Sequence, residues 1–179
     1  MPQYLTAYVL TAILFGILDA VWLGKMVPAV YRPEIGEVLM RGWRPVPALI
    51  FYALYMLGIQ IFAVAPALAA GKWQVAAQWG ALFGFFCYMT YDLTNYATLK
   101  VWSLKVTLMD MAWGTIATAS AAAAAAGLTL IISRSRDSPY LFLFIFGGRP
   151  LFGADPPSLI WPVLSAASIQ SPPSAASSP

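Results

Sequence analysis

Four apolar runs, each about twenty residues or longer, constrain this chain more than any other feature. They cover about Tyr4–Gly24, Pro47–Ala70, Trp73–Thr98 and Thr107–Ile132. A helix of about twenty residues spans the ~30 Å hydrocarbon core of a bilayer. Inside that core each backbone N–H and C=O must find its partner within the protein, so such runs fold as helices. Charged residues make up 9% of the chain, whereas a soluble domain carries roughly a quarter. So few charges cannot cover a soluble surface of this size. The expected fold is all-α, an integral membrane up-down four-helix bundle built from residues 1–136, with the lipid bilayer as its surroundings.

The first run lacks a basic stretch before it and is longer than the apolar core of a signal peptide, so a retained helix is expected. The connection after it carries Lys25, Arg32, Glu34, Glu37, Arg41 and Arg44. Within it, Pro33-Glu34 suits the start of a short interfacial helix with Ile35, Val38 and Leu39 on its apolar side. The second connection, at Gly71-Lys72, is very tight and predicts antiparallel neighbours. Lys25, Arg32, Arg41, Arg44, Lys100 and Lys105 fall on one side of the membrane, against Lys72, Arg134 and Arg136 on the other. By the positive-inside rule the first side is cytoplasmic, which puts both termini outside. Trp22, Trp43, Trp102 and Trp113 then mark the inner interface, and Trp73 and Trp79 the outer one. The net charge of +3 therefore bears on topology, and no nucleic-acid partner is expected. Residues 137–179 change character. They are rich in Pro, Ser and Ala, their apolar stretch Tyr140–Phe146 is too short to span, and a mostly disordered tail is expected.

The chain has no histidine and one cysteine, Cys87. This removes His-ligated haem, His-containing zinc sites, and Ser-His or Cys-His couples. No metal and no cofactor are expected. What chemistry remains centres on three carboxylates in or beside apolar helices, Asp19, Asp92 and Asp110. A carboxylate facing lipid costs a few kcal/mol or more, so these side chains are expected to face helix neighbours. Topology puts all three at the same depth, near the cytoplasmic side. Tyr88, Tyr91 and Asn95 surround Asp92 in sequence and complete the candidate polar site. Lys100 and Lys105 are within reach as counter-charges. Thr107-Leu108-Met109-Asp110 also fits a capping box, a purely structural role for Asp110. Asp19 has a similar alternative, pairing with Lys25.

Small residues recur at every fourth position and allow close helix approach in lipid. The first run has Ala12, Gly16, Ala20 and Gly24. The third has Ala76, Gly80 and Gly84, continued by Tyr88 and Asp92. The fourth has Asp110, Gly114, Thr118, Ala122 and Ala126. Gly16, Gly80, Gly84 and Gly114 are therefore the expected helix-packing glycines.

Leu18-Asp19-Ala20-Val21-Trp22-Leu23-Gly24, the run from Tyr88 through Tyr91-Asp92-Leu93-Thr94-Asn95 to Lys100, and Asp110-Met111-Ala112-Trp113-Gly114-Thr115 resemble the domain of unknown function 2177 family. Its members are small predicted bacterial membrane proteins. The resemblance covers about residues 1–134 and leaves the tail outside it. It implies a four-span protein of the bacterial inner membrane and implies no activity. Three functions are compatible with the residues. One is a polar site that binds or relays a proton, a cation or a small cationic solute, where four helices are few and a homo-oligomer is expected. Another is a membrane enzyme or accessory subunit acting on lipid. The third is a structural or assembly protein whose aspartates specify helix pairing.

Overall fold

The computed structural model describes residues 2–137, and these are helical with short connections and no strand. Helix α1 spans Pro2–Met26. A π-helical turn, Val27–Tyr31, carries it into the short α2, Arg32–Ile35, and a 3₁₀ turn, Gly36–Val38. Helix α3 covers Pro45–Ile59, a second π turn covers Gln60–Val64, and α4 covers Ala65–Ala70. Helices α5, Trp73–Thr98, and α6, Leu104–Asp137, follow. The tail from Ser138, including Tyr140–Phe146, lies outside the described residues.

Three of these helical stretches are long and apolar enough to cross a membrane: Gln3–Val38, Pro45–Ala70 and Leu104–Ser135. Helix α5 is long enough at 26 residues, but it carries two glutamines, three threonines, Asp92 and Asn95 along its length.

The second run, expected as one helix, is interrupted, and its sequence explains why. Pro66 has no N–H to return to the preceding turn, and a π turn just before it lets the backbone continue. The buried Gln60 opens that turn and donates from Nε2 to the Tyr4 carbonyl at 3.3 Å. Pro28 lies within the first π turn, and Pro33 follows it in α2. The interfacial helix expected at Pro33 is shorter than its pattern suggested. Ile35 is buried, but Val38 and Leu39 are exposed beyond the helix.

At the tight connection Gly71 adopts φ +65°, a left-handed conformation that glycine takes without strain. Its N–H bonds the Leu68 carbonyl at 3.3 Å, and Lys72 N–H bonds the Ala67 carbonyl at 3.1 Å. This Schellman pair satisfies the last carbonyls of α4 and reverses the chain.

Helix α5 lies antiparallel against α6. The buried positions of α5 are Ala76, Gly80, Gly84 and Asp92. A Cβ at Gly80 would come within 3.0 Å of Ala122 Cβ, and one at Gly84 would overlap the Gly114 carbonyl oxygen. On α6, Gly114, Thr118, Ala122 and Ala126 are buried in return. Helix α1 packs with Ala7, Thr11, Phe15 and Asp19 inward. Gly16 is not at a close contact, since a Cβ there would meet nothing within 4 Å. Between the helices the core is mainly alanine, with Met56, Ile59, Val64 and Leu68 beside it and Phe15, Tyr55 and Phe83 ring to ring.

Candidate functional site

All three aspartates lie within about two turns of a helix end, and these ends meet on one side of the fold. Asp19 approaches the end of α1, Asp92 the end of α5, and Asp110 follows the start of α6. Asp19 is 6% exposed. Its Oδ2 accepts the Tyr52 hydroxyl, and its Oδ1 accepts Trp113 Nε1 at 3.4 Å. Asp110 Oδ1 accepts the Tyr31 hydroxyl. That hydroxyl accepts Trp22 Nε1 at 2.8 Å. Trp22 and Trp113 stack with centroids 4.3 Å apart and planes 4° from parallel. One network therefore runs from Tyr52 through Asp19, Trp113, Trp22 and Tyr31 to Asp110. It joins α1, α3, α6 and the first π turn.

Tyrosine and tryptophan suit this place because each has an apolar ring to pack and one polar atom that must be satisfied when buried. Charged acceptors also make the stronger hydrogen bonds, roughly twice a neutral pair. Asp19 and Asp110 are thus held in position by their partners.

Asp92 stands apart. It is fully buried at 0% exposure, and neither carboxylate oxygen has a hydrogen-bond partner among the described residues. It lies within electrostatic reach of Asp110, as Asp110 does of Asp19. Among the described residues, no group of three acidic or sulfur side chains converges to hold a metal.

The other candidates are placed elsewhere. The Tyr88 ring covers the α-carbon of Gly114 and meets Tyr55 edge-on at 6.3 Å. Tyr91 is 59% exposed and sits edge-on to Trp102 at 5.6 Å. Asn95 is half-buried, and its backbone carbonyl accepts Leu99 N–H at 2.8 Å. None of these side chains bonds Asp92. Lys105 pairs with Glu34 at 3.1 Å, and Lys100 is exposed. Asp19 is bonded to Tyr52 and Trp113, not to Lys25.

Asp110 is not a helix cap, because α6 begins a turn earlier than Thr107. Ser103 supplies the cap. Its hydroxyl accepts the N–H groups of Lys105 and Val106 at 3.1 and 3.4 Å, and it donates to Glu34 Oε2 at 2.8 Å. A serine hydroxyl placed just before the helix satisfies these free donors directly. Asp110 is left inside the helix, facing Tyr31.

Residues 4–127 match the family described as a predicted membrane protein, DUF2177. The chain belongs to this family. No curated protein and no solved structure matches it. The matched stretch contains the whole acidic network and Asp92, so the site lies within the DUF2177 region.

Tyr31 and Tyr52 are the site residues that the aspartate pattern missed. Their signal was present in part: Tyr52 occurs in an otherwise apolar helix, where its hydroxyl needs a partner.

Proposed function

We propose that this DUF2177 membrane protein binds or relays a proton or small cation at Asp92. One contrast carries this: Asp19 and Asp110 are each held by a tyrosine hydroxyl, whereas the fully buried Asp92 has no partner among the described residues. An ionised carboxylate isolated in a protein interior costs on the order of several kcal/mol. It needs a counter-charge, and a proton or a small cation is the smallest that satisfies it. The two braced carboxylates fix the negative field around the site, and the unbraced one exchanges.

The proposal includes an up-down four-helix bundle of residues 1–136 in which α5 is the fourth span. Its support is the antiparallel contact of α5 with the apolar α6 from Trp73 beside Gly127 to Gly84 beside Gly114. The six basic residues of the first and third connections put that side in the cytoplasm and both termini outside an inner membrane. Two or more copies enclose a path more readily than four helices do, so a homo-oligomer belongs to the same proposal. The tail 137–179 is dispensable in it.

The test is ion flux into proteoliposomes that carry the purified protein and an internal pH-sensitive or cation-sensitive dye. Wild-type protein is expected to pass protons or a monovalent cation. Asp92→Asn keeps shape and hydrogen-bonding capacity and removes the charge, so it is expected to insert normally and lose the flux. Flux in Asp92→Asn equal to wild type, or none in wild type under any cation gradient, would count against a proton or cation role. The assembly function would then be the better one.

A further inference from the structure

A groove of about 1070 Å³ runs between α1 and α3, slightly above the roughly 300–1,000 Å³ common for ligand sites. Ala12, Gly16 and Ala20 form its wall on α1, and Ala48 and Ala53 face them from α3. Such small residues usually bring helices together in lipid. Here they leave width, since a Cβ at Gly16 would meet nothing within 4 Å.

One end of the groove has a different character. Arg32, Arg41 and Trp43 line it, and among the described residues no carboxylate does. Glu34, close to Arg32 in sequence, is already bonded to Ser103 and Lys105. Trp43 is 72% exposed, as befits a ring at headgroup level. From Val27, at the start of the first π turn, down α1 to Gly16 the chain descends roughly 16 Å at ~1.5 Å per residue. This is about the depth of one leaflet, half of a ~30 Å hydrocarbon core.

We propose that this groove is a binding site for one phospholipid with an anionic headgroup. The phosphate sits on Arg32 and Arg41, whose planar donors suit it. One acyl chain follows Leu23 and Ala20 to Gly16. A zwitterionic headgroup offers the same phosphate but adds a cation that two arginines disfavour, so the site selects for net negative charge. Tyr31 and Tyr52 line the groove while their hydroxyls bond Asp110 and Asp19. They form the wall between the lipid and the acidic network. The lipid site stands whether or not Asp92 exchanges a proton.

Native mass spectrometry of the detergent-solubilised full chain tests this, with phosphatidylglycerol and phosphatidylcholine of identical acyl chains. One phosphatidylglycerol is expected to remain bound under conditions that strip phosphatidylcholine. Arg32→Gln and Arg41→Gln are each expected to weaken retention about fivefold, from the value of one basic residue near an anionic lipid surface. Both arginines are exposed, so their variants keep the fold. Gly16→Leu fills the groove and is expected to abolish the adduct. Val21→Leu, on the same helix, 55% exposed and outside the lining, is expected to bind as wild type. Equal retention of the two lipids, retention indifferent to both arginine changes, or an unchanged adduct in a folded Gly16→Leu would overturn the proposal.

Discussion

Replacing Gly84 with alanine should destabilise the protein, and the same change at Gly16 should not. At Gly84 the new methyl group would overlap the Gly114 carbonyl oxygen and lie 2.6 Å from Thr118 Oγ1 and 2.8 Å from Thr118 Cβ. The carbonyl belongs to the α6 backbone and cannot rotate away. The threonine is fully buried, and its hydroxyl is bonded to Tyr55 at 2.7 Å. Relief therefore requires α5 and α6 to separate. Overpacking of this kind costs about 1–3 kcal/mol, and losing the Tyr55–Thr118 bond adds about 1 kcal/mol. The better helix propensity of alanine returns about 1 kcal/mol. The net expectation for Gly84→Ala is a loss of about 1–3 kcal/mol. At Gly16 only the propensity gain remains, about 0.5–1 kcal/mol in favour of alanine. Unfolding in mixed micelles, followed by helicity as the denaturing detergent fraction rises, measures both. Equal stability of Gly84→Ala and wild type, or a comparable loss in Gly16→Ala, would refute the α5–α6 register.

Tyr52→Phe removes the hydroxyl donor to Asp19 and leaves it the longer Trp113 bond at 3.4 Å. A hydrogen bond to a charged group is worth about 1.5–3 kcal/mol, and the same unfolding assay should show a loss of that size. A double-mutant cycle with Asp19→Asn should show coupling between the pair, and additive losses would deny the contact. Ser103→Ala removes the α6 cap at a cost of about 1 kcal/mol. Amide hydrogen exchange at Lys105 and Val106 should accelerate, while exchange at the middle of α6 stays as it was.

The lengths of the apolar runs made the helices legible, because a continuous apolar run of about twenty residues satisfies its own backbone in lipid only as a helix. The glycines on α5 and α6 were legible as small positions four apart. On α1 the same pattern places Ala12 against the core but leaves Gly16 without a close contact. Ala7, Thr11, Phe15 and Asp19 also recur every fourth residue, and they are the buried set. Lipid is as apolar as a protein core, so hydrophobicity does not tell which stripe turns inward. The stripe through Gly16 lines a groove instead. The π turns have no sequence signature beyond Pro28 and Pro66, and a proline alone does not fix which irregular backbone forms around it. The partners of Asp19 and Asp110 come from 33 and 79 residues away, and no local spacing encodes contacts of that range. Asp110 looked like a cap because Thr107 stands three residues before it, yet Ser103 takes that role one turn earlier.

Infrared difference spectroscopy on the reconstituted protein tests the role of Asp92 most directly. Subtracting the Asp92→Asn spectrum isolates the absorption of this one carboxyl group. As pH or the concentration of a small cation is varied, the carboxyl signal of Asp92 is expected to change, while those of Asp19 and Asp110, isolated by their own Asn variants, change less because tyrosines hold them. A signal from Asp92 that stays constant across pH and across added monovalent cations would contradict exchange at this site.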